Sequence, residues 1–71
     1  MIFTFELVKE DQLLTMGPGE ECEDAVHASE VADGLAKELL IAEPQFRDFT
    51  LVVRDDHDDE VYRVRLAETL H

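Results

Sequence analysis

The chain has 71 residues, 18 Asp plus Glu against 6 Lys plus Arg, and a formal charge of −12, enough for a single domain, 1–71, that buries only about 60% of its unfolded surface. So thin a core leaves no room for a deep substrate pocket and its supporting shell. The acidic surface is repelled by phosphate backbones and by anionic lipid headgroups, so neither nucleic acid nor membrane is expected as a direct partner.

Apolar residues make up 45% of the chain and recur in periodic runs, the mark of a folded chain rather than a disordered acidic one. From Ile2 to Val8, aromatic and β-branched residues predominate and Phe3, Phe5 and Leu7 share one face at period two, which predicts a strand. Lys9-Glu10-Asp11-Gln12 is turn-compatible, and Leu13 to Met16 forms a second strand ending at Gly17-Pro18-Gly19. In that hairpin Phe5 faces Met16 and Leu7 faces Leu14. Glu20 to Asp24 reads as an acidic lead-in to a helix capped by Asp24, running to about Ala42 and stopped before Pro44. Ala28, Val31, Ala32, Leu35 and Leu39 form its apolar stripe, with Glu23, Glu30, Asp33 and Lys37 opposite.

Phe49 to Arg54 and Val61 to Leu66 alternate again around Asp55-Asp56-His57-Asp58-Asp59-Glu60. A turn centred on His57 and Asp58 sets Val53 against Tyr62, Leu51 against Val64 and Phe49 against Leu66 on one face. Thr50, Val52, Arg54, Val61, Arg63 and Arg65 then occupy the other. The expected fold is α+β, ββαββ: two hairpins in an antiparallel sheet, with one amphipathic helix packed on one face.

Cys22 is the only cysteine, so no internal disulfide can form; an intracellular, reducing setting follows, and the thiol reads as buried and inert. The N-terminus lacks a basic, apolar leader and no run approaches the ~18 apolar residues of a membrane span, so the chain is expected to be cytoplasmic. The acidic turn crowds oxygen ligands, yet an EF-hand loop begun at Asp55 would need glycine where Glu60 stands and a carboxylate where Leu66 stands. No metal or cofactor is therefore expected. Ser29, the only serine, lies within the helix with neither a Gly-rich elbow nor an oxyanion donor beside it. Nor is Gly17-Pro18-Gly19 a phosphate cradle, lacking the Lys and Ser or Thr that would follow one. The expectation is a chain without enzymatic activity.

What remains is charge. Residues 1–43 carry 11 acidic and 2 basic side chains, residues 44–71 carry 7 and 4. Two clusters stand out: Asp55, Asp56, Asp58, Asp59 and Glu60 within six residues, and Glu20, Glu21, Glu23 and Asp24 within five, with Glu30 and Asp33 on the helix flank. In size, acidity and lack of a catalytic motif the chain resembles the DNA-mimic inhibitors of phages and mobile elements, among them small anti-CRISPR proteins. That resemblance implies carboxylates that contact a basic nucleic-acid-binding protein or complex, and a monomer is expected rather than an oligomer. The ββαββ order with Leu51-Val52-Val53-Arg54-Asp55-Asp56 and Glu60-Val61-Tyr62-Arg63-Val64-Arg65-Leu66 also looks like a bacterial family of short domains of unknown function, in which a glycine usually stands where this chain has His57-Asp58-Asp59. The alternative function is a small regulatory or structural domain that assembles through the outer face of its last hairpin, around Val52, Arg54, Val61 and Arg63. Because like charges repel, neutralising the acidic turn is not expected to lower stability.

Overall fold

The computed structural model describes residues 1–69, an antiparallel sheet with one helix across one face. Strand β1 (Ile2–Lys9) turns through Glu10 and Asp11 into β2 (Gln12–Thr15), a two-residue connection that places Glu10 at φ 53°. A two-residue strand β3 (Glu20–Glu21), helix α1 (Ala25–Ala42), β4 (Thr50–Arg54) and β5 (Glu60–Arg65) follow, with 3-10 turns at Pro44–Phe46 and Leu66–Thr69. The sheet order is β2-β1-β4-β5, and β3 pairs with the start of β1. The chain is thus α+β with two hairpins and a helix, as the periodicity predicts.

The registers follow the apolar pattern. Leu7 lies opposite Leu14, Leu51 opposite Val64 and Val53 opposite Tyr62, while the main-chain N–H of Met16 donates to Phe5 O at 2.9 Å and that of Leu66 to Phe49 O at 3.0 Å. Two details depart from the sequence reading. Glu20 and Glu21, expected only as a lead-in, form β3 opposite Phe3 and Ile2. Arg54 pairs with Glu60 rather than Val61, because a bulge between Val53 and Arg54 takes up one residue. Val61 is therefore half-buried against the core instead of joining Arg63 and Arg65 on the outer face.

The core is the seam between α1 and the inner face of the sheet. Phe3, Phe5, Leu7, Leu51 and Val53 point into it, and α1 meets them with Ala28, Ala32 and Ala36, all at most 1% exposed. The deepest stripe is thus the i, i+4 row of alanines continued by Leu40, while Val31, Leu35 and Leu39 from the predicted stripe flank it, half-buried. Small side chains let the helix axis sit close to the sheet, and the larger ones close the sides. Asp24 caps α1 by accepting from the His27 N–H at 2.8 Å, and His27 Nδ1 accepts from the Glu23 N–H at 3.1 Å, a reciprocal cap. At the far end Phe46 and Phe49 meet edge to face at 5.1 Å, with Lys9 Nζ 5.8 Å from the Phe49 ring centre. Among the described residues no helix is long and apolar enough to cross a membrane.

Packing this close leaves little room for growth at the seam. Ala32→Leu is expected to cost about 1–3 kcal/mol through overpacking. Gly34→Ala, where an added Cβ meets nothing within 4 Å, should gain about 0.5–1 kcal/mol. Urea denaturation of both variants checks the pair, and an unshifted midpoint for Ala32→Leu would refute the alanine seam.

Candidate functional site

The topology brings the two acidic clusters to one end of the sheet. Glu20 pairs with Phe3 on one side of β1, Thr4 pairs with Arg54 on the other, and Arg54 pairs in turn with Glu60. Three strand spacings of roughly 4.8 Å, about 14 Å, thus separate the backbones of Glu20 and Glu60. Asp24 and the first turn of α1 follow directly from β3 at this end, and Glu30 and Asp33 extend the acidic surface along the helix.

Within that surface the carboxylates divide by what they already hold. Asp24 caps the helix. Glu21 lies 3.0 Å from the N-terminal ammonium. Asp33 accepts from the Tyr62 hydroxyl at 2.7 Å, which holds the phenol proton and, with partial burial, raises its pKa. Asp55 Oδ1 accepts from the main-chain N–H groups of Asp59 at 3.0 Å and His57 at 2.9 Å, and these amides, that of Asp59 foremost, hold its pKa below the usual carboxylate value. The same turn places Asp58 at φ 66°. Glu60 takes both guanidinium bonds of Arg63, at 2.7 and 2.8 Å, and its pKa is lowered by them. The carboxylates of Glu20, Glu23, Glu30, Asp58 and Asp59 accept no hydrogen bond among the described residues, and that of Asp56 lies 3.7 Å from His57 Nε2. Of the eleven expected contact residues, these six are free to face a partner.

Arg54 braces the acidic turn from behind. Its guanidinium donates to Glu6 Oε1 at 2.8 Å on the neighbouring strand and to the Asp58 carbonyl at 3.3 Å, so the turn is tied to the sheet. That pairing raises the already high pKa of Arg54. Arg54 and Arg63 are thus both engaged, and on the outer face Arg65 is left without an ion-pair partner among the described residues. There an open groove of about 860 Å³ runs over Val52, Thr50 and Val8 beside Arg63 and Arg65. Val52 is only 3% exposed although no helix covers it, being flanked by its cross-strand neighbours Glu6 and Arg63.

The residues read as chemically idle have structural places. Cys22 is buried between β3 and α1, and burial, aided by the charges of Glu20 and Glu21, raises its thiol pKa, the opposite of an activated nucleophile. Ser29 Oγ donates to the Val26 carbonyl at 2.7 Å along the helix. Sequence reasoning missed the structural work of Asp55, although an Asp two residues before a turn amide is a signal for it.

Asp55 is accordingly an exception to the expectation that neutralising the turn leaves stability intact. Its folded pKa lies below the unfolded one, so its contribution is present above the unfolded value and is lost as pH falls through the folded one. Asp55→Ala should lower the denaturation midpoint at neutral pH, with the gap from the native protein closing as pH drops through the acid range. Asp56→Asn and Asp59→Asn should leave the midpoint unchanged or raise it. A pH series of denaturation curves distinguishes the three.

Comparison with known proteins finds no curated protein and no solved structure that matches the chain. A family described as a domain of unknown function, DUF6894, matches residues 2–67. That span takes in all five strands, the helix and the start of the closing 3-10 turn, and the chain therefore belongs to the DUF6894 family.

Proposed function

We propose that the chain is a non-enzymatic binding protein whose acidic end occupies the Lys- and Arg-lined nucleic-acid-binding surface of a basic partner, as DNA-mimic inhibitors such as small anti-CRISPR proteins do. The observation that carries this reading is the meeting of residues 20–24 and 55–60 at one end of the sheet. B-DNA presents one charge per about 1.7 Å of axis, or about eight over 14 Å. The two clusters supply nine acidic residues around a backbone separation of that size. The 55–60 turn is held by Asp55, Arg54 and Arg63, so the free carboxylates of Asp56, Asp58 and Asp59 are presented with little further ordering on binding. The lone reduced cysteine fits action in the cytoplasm.

A second reading is favoured by the groove over Val52, where apolar floor and Arg65, without an ion-pair partner among the described residues, lie on the bare face of the sheet. It makes the chain a regulatory or structural domain that assembles through its last hairpin.

Affinity capture from a cell lysate at low salt, with and without competing duplex DNA, tests the first against the second. The acidic end should retain basic nucleic-acid-binding proteins that duplex DNA and salt displace. Combined Asp56→Asn, Asp58→Asn and Asp59→Asn should lose most of that retention while leaving the fold intact. Retention that survives both the substitutions and the DNA would refute the acidic end as the contact, and its loss on Arg65→Glu would favour the groove.

A further inference from the structure

The outer edge of β2 has no partner among the described residues and, apart from its shortness, carries none of the charged or proline residues that normally blunt an exposed edge. Gln12 to Gly19 are eight consecutive uncharged residues in a chain that is 34% charged. The opposite edge, β5, carries Glu60, Arg63 and Arg65 and a bulge. On β2, by contrast, Leu13 and Leu14 are 55% and 47% exposed, one on each face of the sheet. The Met16 N–H donates to Phe5 O, so by the antiparallel alternation Gln12 and Leu14 bond to β1 while the N–H and C=O groups of Leu13 and Thr15 point outward, unused.

We propose that two copies of the chain join their β2 edges antiparallel, about a two-fold axis at Leu14, into one continuous sheet. Leu13 of each copy then exchanges main-chain hydrogen bonds with Thr15 of the other. The two Leu14 side chains meet at the non-hydrogen-bonded position, where opposed residues come closest, about 4.5 Å between Cα atoms. The occupant is a second copy because β2 offers no charge with which a basic or acidic strand could pair, whereas its own sequence is neutral, equally short and self-complementary in this register. The same register lays the acidic Glu10–Asp11 turn of one copy beside the uncharged Gly17–Pro18–Gly19 turn of the other, so no acidic cluster faces its own image. The two-fold keeps both helices on one side of the sheet and leaves the β4–β5 turn at the outer ends. Four residues a side make an interface below about 1,000 Å², hence a weak and concentration-dependent one. Because each copy carries −12, added salt screens their repulsion and strengthens the pairing. This is opposite in sign to the salt response of the acidic end, so either proposal can fail without the other.

Sedimentation equilibrium over a concentration series at low and high salt, with amide hydrogen exchange on the same samples, tests the pairing. The expected result is a mass rising from one chain to two, at lower concentration in high salt, with the Leu13 and Thr15 amides slowed as the dimer forms. Leu14→Lys lowers the net negative charge yet opposes two cations at the axis, and should remain at the mass of one chain. Thr15→Pro removes one outward N–H and should do the same, edge positions being those where proline is tolerated. Circular dichroism confirms that each variant folds. A single-chain mass under all conditions, a dimer whose Leu13 and Thr15 amides exchange as in dilute protein, or dimerisation undiminished in both folded variants would overturn the proposal.

Discussion

The rest of the structure depends on the seam between one helix and one face of one sheet. A chain of this length can afford a single amphipathic helix, and that helix covers only the face carrying Phe3, Phe5, Leu7, Leu51 and Val53. The alanines at 28, 32 and 36 set the distance at which it does so, and their near-complete burial leaves no slack. Every other feature is what remains outside the seam: a bare outer face, two open edges and a surface on which 18 carboxylates must be placed.

Charge is arranged around this core so that repulsion is met locally. The carboxylates nearest the backbone are engaged by helix and turn amides, by the Tyr62 hydroxyl and by Arg63, and Glu6, partly buried on the outer face, is met by Arg54 across a strand. No buried side-chain polar atom among the described residues lacks a partner. The unengaged carboxylates are left in water, where isolated charges are cheap to keep and available to a cation. The same division makes the acidic end chemically uneven: Asp55 and Glu60 hold the loop, and Asp56, Asp58 and Asp59 face outward.

The surfaces without cover differ in character, which gives them different expected partners. The acidic end is dense in carboxylates and acts over distance; the groove over Val52 mixes apolar floor with guanidinium; the β2 edge is neutral and offers main-chain groups. Electrostatic attraction dominates the first and is weakened by salt, whereas backbone pairing and apolar contact at the β2 edge gain from screening between two like-charged chains. One small domain can thus carry separable interactions because its single core consumes only one face.

The elements themselves were legible in the sequence. Period-two alternation marked the long strands, the facing pairs Leu7–Leu14, Leu51–Val64 and Val53–Tyr62 set both hairpin registers, and Asp24 and Pro44 bounded the helix, because these are local properties of backbone and side chain. Both acidic clusters were equally plain, as composition always is. What only the tertiary structure decided was non-local. Two glutamates have poor strand propensity, and β3 forms because β1 offers them an edge at Ile2 and Phe3. The pairing of β1 with β4 joins residues nearly fifty apart, and no periodicity encodes which strands become neighbours. Choosing alanines over Val31, Leu35 and Leu39 for the deepest stripe required the approach of a particular sheet face, and the bulge at Arg54, beside the turn amides that Asp55 collects, shows only in the paired strands. The meeting of the two acidic clusters at one end follows from that strand order, since only the sheet brings residues 20–24 and 55–60 together.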